Sequence, residues 1–205
     1  MKKIIIASSL ALSLVTSTAL ADVSPKSGFY VGGDFGTNSI TSATKFDSLK
    51  VGMGSSSLTS NLHAGYRIFD EKSFYGVEVG YSLLNSDILF DDDGLKQKNG
   101  YSALVNFGYG ISNEAFVFTS LGITSKKYEA SSSNLGILYK NTKNLTGGVI
   151  GLGLEYFISD NISVTGKYSY EKSFDKISVT RVTSGNTIEY NPSNQAFTIG
   201  IRYNF

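Results

Sequence analysis

The 205-residue sequence has no cysteine, one histidine and two prolines, and its charges almost cancel. Without cysteine there is no disulfide framework and no thiolate metal site, even for a chain that meets an oxidising compartment. The lone histidine, His63, cannot supply the nucleophile, base and orienting group of a hydrolytic site, so no catalytic residue is assigned and no enzyme is expected. Metal binding is left to loop carboxylates, and Asp91-Asp92-Asp93-Gly94 lacks the spaced ligands of a dedicated calcium loop. That stretch reads as acidic and solvated, with no metal and no cofactor. Removing Lys2 and Lys3 with the leader leaves 16 of the 18 basic residues against 17 acidic ones, so no basic field points to nucleic acid.

Long apolar runs are also missing, except at the N-terminus. Met1-Lys2-Lys3 is basic, Ile4 to Val15 is apolar, and Thr16 to Ala21 closes on Ala19-Leu20-Ala21. This is the three-part pattern of a secretory signal peptide, with Ala19 and Ala21 as the small residues of the cleavage site. A membrane-spanning helix needs about 20 apolar residues, and this run turns rich in Ser and Thr too soon. The expected organisation is a cleaved signal peptide over 1–21 and one domain over 22–205. Asp22, where a lipid-bearing cysteine would stand, excludes an acyl anchor at that point.

What the chain has in quantity is glycine, 22 residues, and aromatics, 13 Tyr and 13 Phe. A soluble β-sandwich could share that composition, so order along the chain decides. Eight segments alternate apolar and polar residues with a period of two. They start near Phe29, Leu58, Phe74, Tyr101, Phe116, Gly147, Ile162 and Ala196. Each is roughly 10 to 13 residues, the length of a tilted strand that crosses a bilayer. The weakest is the fifth, where Phe116, Val117 and Phe118 are consecutive; Val117, Leu121 and Ile123 are assigned outward. Long connections near 38–57, 85–99, 126–145 and 172–193 alternate with short ones at 70–73, 112–114 and 159–161. Short periplasmic turns alternating with four long extracellular loops describe an all-β, eight-stranded, antiparallel up-and-down transmembrane barrel.

The regular apolar face carries its aromatics near both strand ends. Tyr66, Tyr75, Tyr109, Tyr156, Tyr203 and Phe205 form a periplasmic girdle; Phe35, Tyr81, Tyr101, Tyr168 and Phe197 form an outer one. Interfacial placement satisfies the tyrosine hydroxyls with water and headgroups, which a buried core would have to do with protein partners. The opposite face is rich in glycine and holds Asp34, Arg67, Glu78, Glu155, Lys167, Glu171 and Arg202. An eight-stranded barrel has just enough interior for side chains, so glycine makes room for these long ones. The seven charges are expected to pair as a network that fills the lumen, Arg202 with Glu171 and Arg67 with Glu78 on neighbouring strands.

Three stretches resemble a known group: Gly28 to Gly33 (GFYVGG), Gly153 to Val164 (GLEYFISDNISV) and the terminal GIRYNF. They resemble the outer-membrane β-barrel superfamily, which includes the OmpA-type transmembrane domain and opacity-like, porin-family surface proteins. The resemblance covers essentially the mature chain and speaks to fold more than to task. It implies that Ile201, Tyr203 and Phe205 are the C-terminal signal read by the barrel assembly machinery. It also implies residence in the outer membrane of a Gram-negative bacterium, in contact with outer-membrane lipid. No residue here supports a cell-wall tether.

The expected role is that of a monomeric structural or interaction protein, a surface antigen or adhesin-like barrel whose loops meet a host or environmental ligand. A narrow passive channel for small solutes is the alternative, and a lipid-modifying barrel enzyme is a distant third.

Overall fold

In a computed structural model of the chain, residues 25–46, 49–83, 86–90, 93–134, 137–180 and 187–205 are described. The signal-peptide assignment, with Ala19 and Ala21, lies outside these residues, as do Asp91 and Asp92 of the acidic loop. The elements are β1 (Gly28–Phe46), β2 (Leu49–Asp70), β3 (Ser73–Ser82), β4 (Ser86–Phe90), β5 (Asp93–Gly110), β6 (Ala115–Asn134), β7 (Ile137–Phe157), β8 (Ile162–Ser173), β9 (Ile177–Thr180) and β10 (Thr187–Asn204).

All pairings are antiparallel, and β10 pairs back onto β1, so eight strands, β1-β2-β3-β5-β6-β7-β8-β10, close a ring. β4 continues β3 along β5, and β9 continues β8 along β10. Partners can be followed once around from Ile40 through Asn194, Glu171, Val149, Gly122, Leu104, Glu78 and Gly65. The path returns to β1 at Tyr30, ten residues from its start. That stagger forces the strands to tilt, by about 35–45° in closed barrels, and fixes a lumen only wide enough for side chains.

The period-two pattern sets the two faces. Phe29, Val31 and Phe35 of β1 are exposed while Tyr30 and Asp34 between them are buried, and the other strands of the ring repeat this alternation where their side chains are described. The fifth segment follows it too: Leu121 and Ile123 point out, and Phe116 and Phe118 point in. Leu104, an apolar residue at an inward position of β5, is buried. Both expected girdles sit on the outer surface, with Tyr81 half-buried where Asn99 donates a hydrogen bond to its hydroxyl. On the short-turn side, Glu71 takes a left-handed backbone (φ 48°) to turn β2 into β3.

The four long connections differ most from the sequence reading. They are not open loops; the strands themselves run on. β1 and β2 stay paired up to Phe46 and Leu49, and β6 and β7 up to Asn134 and Ile137. A bulge between Gln97 and Gly100 carries β5 past the outer girdle. Among the described residues each connection is thus paired as a ladder along at least one edge, and the barrel wall rises above the membrane as a head.

Candidate functional site

The lumen is layered. At the periplasmic end Phe69, Phe74, Phe116 and Phe157 form a floor, with ring centroids 5.4 to 6.0 Å apart. The Arg67 guanidinium lies against this floor, 5.0 Å from the centroids of Phe69 and Phe157 and 5.1 Å from Tyr30. Gly108 and Gly153 sit beneath the Phe74 and Phe118 rings, which leave no room for a side chain there.

Above the floor, one ionic network stitches six strands, β1, β2, β3, β7, β8 and β10. Arg67 Nη1 donates to both oxygens of Glu155 at 2.9 Å, and its Nη2 donates to Asn204. Arg202 Nη1 donates to the same carboxylate at 3.0 Å, while its Nη2 reaches Glu78 at 3.1 Å. Tyr30 donates to Glu78 at 2.8 Å and Ser163 to Glu155. Arg202 Nε also donates to His63 Nε2 at 3.3 Å, which assigns the imidazole proton to Nδ1, facing Asp34 at 3.5 Å. Lys167 Nζ stands 3.8 Å from the Asp34 carboxylate.

The neighbour-strand pairs expected from the sequence are not the ones that form. Glu171 lies opposite Asn194, well up β10 from Arg202, and takes Lys126 at 2.5 Å instead. Arg67 crosses the barrel from β2 to β7, leaving Glu78 to Arg202. In a lumen this narrow a long side chain meets the far wall as easily as its neighbour. Lys126, absent from the sequence assignment, is the fourth interior cation. With it Arg67, Arg202, Lys167 and Lys126 balance Asp34, Glu78, Glu155 and Glu171. Only its inward parity on an extended β6 could have shown it.

Above the Arg67–Glu155–Arg202 pairs, and reaching Asp34, Glu78 and Lys167, lies a polar cavity of about 90 Å³ lined also by Asn38, Thr124 and Asn194, among others. Thr124 Oγ1 and Asn194 Oδ1 are buried there without a hydrogen-bond partner in the structure. The space exceeds the ~10–15 Å³ of one water site, so the cavity accommodates several water molecules. The head closes over it with a second apolar cluster: Ile40, Leu95, Tyr128, Ala130, Leu145, Ile177, Val179, Ile188 and Tyr190.

Tyr128 links that cluster to the cavity, accepting from Asn194 at 3.0 Å and donating to Gln97 at 3.3 Å. It lies three residues beyond Ser125, which pairs with the outer-girdle Tyr101. Burial pushes its hydroxyl above the ordinary 10.0, and Glu171 adds to the shift. The folded head therefore holds this proton more tightly than the unfolded chain does. Its stability should be intact below pH about 10 and fall as pH rises beyond it. Hydrogen exchange of the head between about pH 9 and 11 should show that loss, and Tyr128→Phe should lessen it. An equal loss in the variant would assign it to other groups.

The C-terminal residues Ile201, Tyr203 and Phe205 are on the lipid face, and the Phe205 N–H closes the ring by donating to the Phe29 carbonyl at 3.0 Å.

Residues 7–205 match the family model for the outer membrane protein beta-barrel domain. The chain belongs to that family. It is an outer-membrane protein, and the exposed apolar belt between its girdles is the surface that meets lipid. Among solved structures, this outer-membrane barrel resembles OprG from Pseudomonas aeruginosa at 18% identity and a TM-score of 0.63, over 90% of this chain and 99% of that one. Ail of Yersinia pestis, in complex with the heparin analogue sucrose octasulfate, aligns at 17% identity and a TM-score of 0.50, over 87% and 99% of the two chains. Neisserial surface protein A aligns at 15% and 0.50, over 87% and 97%. At these identities the likeness is one of fold. Comparison with curated proteins gives no match.

Proposed function

We propose that this barrel is a surface interaction protein whose head binds polyanionic ligands outside the cell. The observation that carries this is a wall of exposed lysines on adjoining elements: Lys127 on β6, Lys140 and Lys143 on β7, and Lys172 and Lys176 in and after β8. Lys140 pairs with Glu129 at 3.7 Å and Lys176 with Glu189 at 3.1 Å, so two of the five are partly neutralised. The described side chains across the head, on β1, β2 and β10, include Ser39, Thr41, Ser56 and Ser193 but few charges. A one-sided positive field attracts and orients an anionic polymer. The relative crystallised with a heparin analogue supports the choice of ligand class.

The filled lumen favours this reading over a passive channel, because floor, ionic network and head core stand in series along the axis. His63 is turned inward between Arg202 and Asp34, which favours it over a lipid-modifying enzyme opening toward the membrane. Export by the N-terminal leader and assembly through the C-terminal Phe205 belong to the same proposal.

Heparin is the probe. Replacing Lys127, Lys140, Lys143 and Lys172 together by Gln should weaken binding by about tenfold or more and flatten its salt dependence. Heparin affinity unchanged by the four substitutions would count against the proposal.

A further inference from the structure

Above the membrane the ring is no longer continuous. The β7–β8 ladder ends at Gly147 and Ser173, with one last bond from the Phe174 N–H to the Thr146 carbonyl. On the far side of the ring, the β2–β3 ladder ends at Asn61 and Ser82, with one last bond from the Leu83 N–H to the Ser60 carbonyl. Beyond these points, among the described residues, β9 pairs only with β10, and β4 only with β5. The head is therefore two leaves, β9-β10-β1-β2 and β4-β5-β6-β7, each laddered within itself. Two seams separate them.

The leaves meet face to face through the upper apolar cluster. One contributes Ile40, Ile177, Val179, Ile188 and Tyr190; the other contributes Leu95, Tyr128, Ala130 and Leu145. Side chains replace the missing ladder at the β7–β9 seam. Asn141 Nδ2 donates to the Ser178 carbonyl at 2.7 Å, and Lys143 Nζ to the Lys176 carbonyl at 3.4 Å. Directly beneath the seal lies the polar cavity, where Thr124 and Asn194 hold nine-tenths-buried polar atoms with no protein partner. Beneath the cavity the Arg67–Glu155–Arg202 pairs and the phenylalanine floor block the way to the periplasm.

We infer that the head is a clamp: its two leaves part along the β7–β9 seam and admit small polar solutes from the cell surface to a blind chamber above the Arg67–Glu155–Arg202 pairs. Apolar contact between the leaves, the two bonds of this seam and the Asn194–Tyr128 bond at its base can open and close as a unit, whereas a backbone ladder around the full ring could not. The unpartnered amide oxygen of Asn194 and hydroxyl of Thr124 suit uncharged or zwitterionic solutes that bring their own donors and acceptors, since the chamber's charges are already paired. This does not depend on polyanion binding, which would use the outside of the same head.

The cysteine-free chain makes access measurable. In Thr124→Cys protein reconstituted in lipid vesicles, a small water-soluble methanethiosulfonate should modify the chamber thiol slowly. Adding Asn141→His and Ser178→His creates a zinc bridge across the seam. Zinc should then slow modification by about tenfold, chelation should restore it, and Thr124→Cys alone should not respond to zinc. Independently, Asn141→Ala, which removes the 2.7 Å seam bond and leaves the lysine wall intact, should speed modification severalfold. A thiol that never reacts would overturn the clamp, and so would a rate indifferent to both the bridge and the loosened seam. Heparin binding, measured on the same variants, reports separately on the outer wall.

Discussion

Glu155→Gln should lower the unfolding free energy of the refolded barrel by about 3–5 kcal/mol, the cost of leaving buried charge uncompensated. Glu155 is the hub of the lumen: Arg67 and Arg202 both donate to it, and Ser163 supplies a further hydrogen bond. Glutamine keeps the shape and one acceptor but removes the charge, so two guanidiniums in a nearly water-free layer face one carboxylate, that of Glu78. Their alternatives are poor, because Arg67 is enclosed by the phenylalanine floor and Arg202 by Tyr30 and Phe118. Urea unfolding from lipid vesicles measures the effect. Glu129→Gln serves as the contrast: Glu129 bridges Lys98 at 2.8 Å on the head's surface, where such a pair contributes about 1 kcal/mol or less. Equal midpoints for the two variants would show that the lumen network is as weakly held as a surface pair.

The network's stability role and its positional role are separable. Buried ion pairs often add little net stability over an apolar filling, yet breaking one is costly. Here the pairs cross the barrel from β2 to β7, from β10 to β7 and from β10 to β3, so each links strands that share no backbone ladder. They fix the cross-section of the ring in a way that nearest-neighbour pairs along a ladder could not.

Most of the wall was legible in the sequence, because a bilayer outside and a side-chain-filled lumen inside impose a strict alternation. Phe35 and Asp34, or Tyr203 and Arg202, declare opposite faces without any tertiary information. What alternation cannot give is the partner across the lumen, since Arg67 and Glu155 are brought together by ring closure and stagger alone. The head was missed for a different reason. Its segments are rich in Ser, Asn, Lys and Asp, which reads as loop, yet Ile177-Ser178-Val179-Thr180 and Ile188-Glu189-Tyr190 keep the same two-residue period. Their apolar members are spaced as in the wall below and pack inward. Polar composition on the outer face hid a continuing strand, and with it the Lys126–Glu171 pair and the core around Tyr128.

Ring closure also explains the glycines. On a closed, staggered sheet, Cβ positions converge toward the axis and diverge outside. A methyl added at inward Gly122 would fall against the Ala103 carbonyl and within 2.9 Å of the Leu104 Cα. At Gly36 it would fall against the Phe197 carbonyl and within 2.7 Å of the Thr198 Cα. In each case the obstacle is the backbone of the paired strand, which cannot swing aside as a side chain can. Lipid-facing Gly166 has nothing within 4 Å of the same position. Gly122→Ala and Gly36→Ala should therefore each cost about 1–3 kcal/mol or more, enough to depress refolding yield. Gly166→Ala should be neutral or stabilise by about 0.4–1 kcal/mol, because alanine restricts the unfolded chain. The same urea titration decides between them. If inward and outward substitutions cost the same, the glycines answer to something other than room in the lumen. If only the inward ones are costly, they have the same physical origin as the ionic network: an interior with space for one layer of side chains and no second.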